Sequence, residues 1–263
     1  MSTEAAFARA REDGRRVLVG YLPAGFPSYD RGVRALTAMI EAGVDVVEVG
    51  LPYSDPVIDG PTIQAAADQA LRAGTRTRDV LRTVQAVAAT GVPALCMTYW
   101  NPIAHYGVDR FAADLASAGG AGLITPDLLP EEADDWLAAS DAQGLDRVFL
   151  VAPSSTDERI AMTAKVCRGF VYAASVMGVT GTREQTSARG AELVERVRGA
   201  TDLPVGVGLG VSNGEQAAEV AGYADAVIVG SAFVRKLLDA PSEPDGVAAV
   251  RELAADLAAG VRR

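Results

Sequence analysis

Along the 263-residue chain, short β-branched apolar runs alternate with longer stretches whose apolar residues recur at helical spacing. The runs predict strands at Val17 to Leu22, Val44 to Gly50, Pro93 to Thr98, Ala121 to Thr125, Arg147 to Val151, Gly169 to Ala174, Leu203 to Val207 and Asp225 to Val229. Helices are expected from Thr3 to Asp13, before the first strand, and from Tyr29 to Ala42. Two more, Pro61 to Ala73 and Thr77 to Ala89, fill the gap after the second strand. An amphipathic helix follows each later strand, Pro130-Glu-Glu132 opening the one after the fourth and the capping-box pattern Ser212-Asn-Gly-Glu215 the one after the seventh. Units of roughly 20 to 50 residues suit parallel strands joined by right-handed crossovers. No linker or low-complexity tract divides them. The expectation is one domain over residues 1–263, an α/β fold that is a closed (β/α)8 TIM barrel with an extra N-terminal helix.

In such barrels chemistry gathers at the C-terminal ends of the strands. In the second strand, alternation puts Val47, Val49 and Leu51 on one face and Val46, Glu48 and Gly50 on the other. The apolar ridge belongs against helices, so Glu48 points inward near its strand's end. There a carboxylate must be paired or hold a raised pKa. The following loop, with Ser54-Asp55-Pro56 and Asp59-Gly60-Pro61, returns a second acid toward that end. Asp55 and Asp59 also suit turns on their own account. Two carboxylates in different environments give one site an acid and a base.

Composition narrows the chemistry. A formal net charge of -10 and a pI near 4.7 argue against a nucleic-acid or anionic-membrane surface. The opening MSTEAAFARA reads as no targeting segment, no apolar run reaches membrane-spanning length, and Cys96 and Cys167 are the only cysteines. A reducing cytoplasmic location is expected. The single His105, which reads as a loop residue, builds no metal cluster, and Lys165 and Lys236 fall on helices, away from strand ends, against Schiff-base chemistry.

An anionic substrate therefore needs a local receptor. Gly206-Val-Gly208-Leu-Gly210 and Val229-Gly230-Ser231 follow the seventh and eighth strands, where barrel phosphate sites recur. Glycines admit an oxyanion to backbone N–H groups, and helix starts favour negative charge. The stretch Ser175 to Gly190 is long and glycine-punctuated, with Gly178 and Gly181 flanking Thr180, and reads as a lid or a surface loop. Tyr21, Tyr99, Phe170 and Tyr172 lie at or near strand ends, placed to wall a pocket or to pack the core.

Glu48-Val-Gly-Leu-Pro52, Ser54-Asp-Pro56, Asp59-Gly-Pro-Thr-Ile-Gln64, Gly178-Val-Thr-Gly181, Gly208-Leu-Gly210 and Gly230-Ser231 together resemble the tryptophan synthase α subunit family, nearly end to end. The resemblance implies a (β/α)8 lyase that cleaves indole-3-glycerol phosphate to indole and glyceraldehyde 3-phosphate without metal or organic cofactor. It puts the general acid-base residue at Glu48 and the aspartate for the indole N–H at Asp59. Substrate binding falls to Tyr21, Tyr99 and Tyr172, to Thr180 and Gly181 in the lid, and to Gly210, Gly230 and Ser231 around the phosphate. It implies a pyridoxal-phosphate-dependent β subunit as partner, in an α2β2 assembly. Two positions depart from the family's commoner residues, Tyr53 and the Asp127-Leu-Leu-Pro130 loop, both in the region that resembles the docking surface. A solitary indole-releasing lyase, a silent activating subunit and another phosphate-binding barrel are the alternatives.

Overall fold

The computed structural model describes residues 2–174 and 183–263, with side chains in the second segment from residue 187 onward. Eight parallel strands close into a barrel in sequence order: β1 Val17–Pro23, β2 Val46–Gly50, β3 Ala94–Met97, β4 Gly122–Thr125, β5 Asp146–Val151, β6 Val171–Ala174, β7 Val205–Gly208 and β8 Ala226–Val229. Around them lie α1 Thr3–Glu12, α2 Tyr29–Glu41, α3 Pro61–Arg72, α4 Thr77–Ala88, α5 Trp100–Tyr106, α6 Val108–Ser117, α7 Asp134–Gln143, α8 Asp157–Val166, α9 Arg183–Arg198, α10 Gly214–Ala221, α11 Ser231–Leu238 and α12 Glu243–Gly260. Among the described residues, no helix is long and apolar enough to cross a membrane.

Strand alternation sorts the core into two layers. Val47, Val49, Leu123, Phe149, Val171 and Val207 pack outward into the cluster shared with the helices. Val17, Val19, Val46, Leu95, Ile124, Val148, Phe170, Ala226 and Ile228 fill the barrel interior. The interior continues into α1, whose Ala6, Phe7 and Ala10 close the N-terminal end of the barrel. The Phe7 and Phe170 rings meet there at 5.6 Å, tilted by 46°. Burying an aromatic side chain such as Phe7 contributes about 1.5–3 kcal/mol. A remote cap fixes the helix: Asp146 Oδ2, at the start of β5, accepts the Thr3 N–H at 2.9 Å and the Thr3 hydroxyl at 2.6 Å. With that end plugged, the C-terminal rim is left for the chemistry.

Several expected boundaries shift, for local reasons. β2 starts at Val46; the preceding Asp45 turns its carboxylate to the Leu18 N–H at 2.9 Å and to Arg15 at 2.8 Å. β6 starts after Gly169, whose φ of +94° lies outside the extended region. β7 starts after Pro204, which has no N–H for the ladder, and Asp225 Oδ2 accepts the Val205 N–H instead. After β4, Pro130–Glu132 is a separate 3-10 turn ahead of α7. The cap of α10 is Asn213, which accepts the Gln216 N–H at 2.9 Å, while Ser212 bonds to the Gln216 side chain.

Two expectations need correction. His105 is an exposed residue in the last turn of α5, not a loop residue. Helix α9 occupies Arg183 to Gly190, the second half of the stretch expected as loop; its Arg, Glu, Gln and Ala content favours helix. The remainder, with Thr180 and Gly181, lies outside the described residues.

Candidate active site at the C-terminal rim

Glu48 lies opposite Tyr21 of β1 and Leu95 of β3 in the ladder, on the inward face with Val46. It is 1% exposed, and its Oε1 has no hydrogen-bond partner among the described residues. Burial pushes its carboxyl up from 4.5 to about 8, so the group carries a proton at neutral pH.

Two tyrosines flank this acid from the same inner face. A Cβ built on Gly50 would lie 2.3 Å from the Tyr21 hydroxyl, and one built on Gly208 would lie 2.6 Å from the Tyr172 hydroxyl. Inward-facing glycines at the rim thus make the space that the two phenols occupy. Burial raises both phenols well above their ordinary pKa, and the charges of Glu48 and Asp59 push each of them further in the same direction. Both carboxylates are therefore within electrostatic reach of the same two hydroxyls at this end of the barrel. Phe170 does not join it. It sits one layer down in the interior, against Phe7, because it precedes β6 and shares the inward face two residues below Tyr172.

Asp59 is half-buried, immediately before Gly60 and the Pro61 that opens α3. Burial raises its carboxyl above 3.8, opposed by a hydrogen bond that Tyr99 donates to it. Gln64 Nε2, in the first turn of α3, donates to the Asp59 carbonyl at 2.7 Å. Asp55 behaves as a turn former: it is exposed and bonded to the Ser54 hydroxyl at 2.6 Å.

Tyr99 and Asp127 do more than sequence reasoning had assigned to them. Tyr99 is 5% exposed, and its hydroxyl accepts the N–H groups of Val57 and Ile58 at 3.2 and 3.1 Å. Asp127, from the loop after β4, accepts the Trp100 N–H at 2.9 Å and so caps α5 from another unit of the barrel. The available signal for Asp127 was an acid at the C-terminal end of an expected strand, directly after Thr125-Pro126.

Across the rim, β7 leads through Gly210 toward α10, and β8 leads through Gly230 into α11 at Ser231. Gly210 has φ +66° with open space where a side chain would begin, so conformation demands glycine there. Gly230 is the N-cap residue of α11, and no side chain caps that helix. Its first-turn N–H groups face the rim with their partial positive charge, an arrangement suited to an oxyanion. A Cβ on Gly230 would sit 3.3 Å from Tyr21 Cδ1. Tyr21 is thus a shared wall, its ring against the glycine cup and its hydroxyl beside Gly50 near Glu48.

The sequence profile of the family described as "Tryptophan synthase alpha chain" matches residues 7–262. The tryptophan synthase alpha chain of Acidothermus cellulolyticus is 69% identical over 258 residues, 98% of this chain and 96% of that one. A structure of Mycobacterium tuberculosis tryptophan synthase superposes with a TM-score of 0.93 at 55% identity, covering 99% of this chain and 98% of that one. Subunit alpha from Legionella pneumophila still superposes at 0.90 with 30% identity, over 99% and 98% of the two chains. With a family match over nearly its whole length and the family's barrel in full, the chain belongs to the tryptophan synthase alpha chain family.

Proposed function

We propose that Glu48 and Asp59 carry the family's lyase reaction in this chain, cleavage of indole-3-glycerol phosphate to indole and glyceraldehyde 3-phosphate in tryptophan biosynthesis. The observation that carries this reading is the buried, protonated Glu48 carboxyl, whose Oε1 has no hydrogen-bond partner among the described residues, beside two phenols that also feel Asp59. In the retro-aldol step, indole C3 accepts the Glu48 proton, making the ring an electron sink with positive charge at its nitrogen. The side-chain hydroxyl next gives its proton to the Glu48 carboxylate left by the first transfer and becomes the aldehyde of the phosphate product. The bond from C3 breaks, and its electron pair neutralises the ring. Asp59, held near the ring N–H, stabilises the charge that develops there, most strongly in a site closed to water. Tyr21, Tyr99 and Tyr172 wall the indole. Thr180 and Gly181, assigned by family resemblance to the cover over the pocket, complete the set.

Gly210, Gly230 and Ser231 hold the phosphate in the same reading, with backbone N–H groups taking the place of lysines in an acidic protein. Gly230→Asp puts a like charge in the cup and a Cβ against the Tyr21 ring. It should raise the KM for indole-3-glycerol phosphate at least about tenfold, since opposed like charges cost several kcal/mol. Calorimetry with glycerol phosphate should show the same loss. Undiminished binding would place the phosphate elsewhere.

The partner is a pyridoxal-phosphate-dependent β subunit in a cytoplasmic α2β2 assembly. The loop that ends in Asp59 also presents Val57, 76% exposed, and the rim presents Leu129, 47% exposed. A partner resting there would order the loop and place Asp59. Free-indole release is to be measured with and without the β subunit of the same organism. Saturating partner should raise it at least about tenfold, within the range usual for coupled sites. High release unchanged by partner identifies a solitary lyase, and no release in either case identifies a silent subunit.

A further inference from the structure

The Tyr99 hydroxyl gives both of its acceptor positions to one loop. A phenol has one proton to donate and two lone pairs to accept with. Here both lone pairs are taken, by the consecutive N–H groups of Val57 and Ile58 at 3.2 and 3.1 Å. The same hydroxyl favours the charged form of the Asp59 carboxyl, on the next residue. Two successive backbone N–H groups are thus tied to one oxygen atom that also acts on the carboxylate following them.

The base of this tie is rigid. Tyr99 follows directly from the β3 strand as the N-cap residue of α5, and the next N–H, that of Trp100, is held by Asp127 at 2.9 Å. The ring packs on Tyr53, with centroids 5.2 Å apart. Tyr53, from the beginning of the same loop, accepts a hydrogen bond from Asn101 Nδ2 at 3.2 Å. By contrast, the loop carries the exposed Val57 and has no strand or helix of its own between Gly50 and Pro61. Without the phenol, two adjacent N–H groups would lose their protein acceptor, and the Asp59 carboxylate would lose a hydroxyl that favours its charged form.

We infer that Tyr99 is a positioning residue for the lyase reaction, setting the orientation of Asp59 by fastening the 57–59 backbone to the end of β3. The inference rests on the role proposed above for Asp59. It goes beyond that reading, because it gives Tyr99 a task besides walling the indole. Whatever occupies Val57 at the surface acts, on this assignment, on a backbone held by the oxygen that also acts on the catalytic carboxylate. Order at the exposed loop and aim at the reacting ring are then set by one atom.

The test is Tyr99→Phe, alone and combined with Asp59→Asn. Phenylalanine keeps the ring and its packing on Tyr53 while deleting both backbone bonds and the hydroxyl that acts on Asp59. With Asp59 misaimed, kcat should fall about 10- to 100-fold, the loss attached to a displacement near 1 Å. KM should change much less, because the phosphate cup is across the rim. In the Asp59→Asn background the same change should cost less than about twofold, since a residue that acts through Asp59 has nothing left to orient. Amide exchange at Val57 and Ile58 should quicken in Tyr99→Phe, independently of turnover, and a thermal melt checks that the variant folds. Multiplicative losses in the double variant, a single variant within about twofold of wild type, or unchanged exchange at both amides would each overturn the assignment. Wild-type protein that releases no indole in the presence of a β subunit would overturn the functional reading itself, an outcome the exchange measurement keeps separate from a failure of the tie.

Discussion

Glu48→Gln is expected to lower kcat by roughly 10²- to 10⁴-fold, or more if one carboxyl serves both proton transfers, while substrate analogue still binds. The amide keeps the side chain's size and shape, so loss of binding is not the expected cause. Because burial holds Glu48 at about 8 in place of 4.5, the resting enzyme already carries the proton that indole C3 must receive. kcat/KM, which reports the free enzyme, should therefore fall as pH rises through about 8, and the fall should vanish in Glu48→Gln. Stability carries the same signature with a definite sign. Between pH 4.5 and about 8 the folded protein keeps a proton that the unfolded chain releases. Stability associated with this group is full below 4.5 and is lost as pH rises toward 8, with a limiting slope of about 1.4 kcal/mol per pH unit. Glu48→Gln, which cannot ionise, should thus be more stable than wild type at pH 8 and show its smallest advantage near pH 4. Denaturant midpoints at the two pH values measure this. Near-normal turnover, or a stability gain that does not grow with pH, would remove Glu48 from the acid role.

Why Glu48 was legible while its neighbours were less so follows from the range of the interactions involved. Strand alternation has a period of two and a closed barrel has one inside, so a single register decides that Val46 and Glu48 face in and that Val47 and Val49 face out. The same rule, applied to Phe170, puts it inward as well. Depth along the barrel axis then assigns it to the layer plugged by α1, and sequence proximity to Tyr172 says little about that. Strand starts depended on side chains from other units: Asp45 on the Leu18 N–H, and Asp225 on the Val205 N–H. The position of Tyr99 at the C-terminal rim was legible because it lies just past a strand. Its bonds to Val57 and Ile58 join positions 42 and 41 residues apart, and no periodic pattern encodes them. The Gly210 and Gly230 turns were legible for the opposite reason, since each is a local demand of a strand-to-helix turn.

Asp59→Asn should also be severe, lowering kcat by about 10²- to 10³-fold, the usual loss when one electrostatic stabiliser of a developing charge is removed. Tyr99 still holds the Val57 and Ile58 N–H groups in this variant, so the loop should keep its place and KM should change little. What disappears is the negative charge opposite the ring nitrogen, which matters only once C3 is protonated. The loss therefore falls on kcat and kcat/KM together. The pH profile separates this role from that of Glu48. Burial raises Asp59 above its ordinary 3.8, while the Tyr99 bond opposes the shift, so its charged form is lost as pH falls through that raised value. Wild-type kcat/KM should then be bell-shaped, with an acid limb set by ionisation at Asp59 and an alkaline limb set by deprotonation at Glu48. Burial alone raises Glu48, and burial opposed by Tyr99 raises Asp59, so the two limbs should respond separately to substitution. Asp59→Asn should erase the acid limb and leave the alkaline limb in place, because burial holds the Glu48 carboxyl up whichever residue stands at 59. An acid limb that survives this substitution would mean that another group supplies the charge at the ring nitrogen.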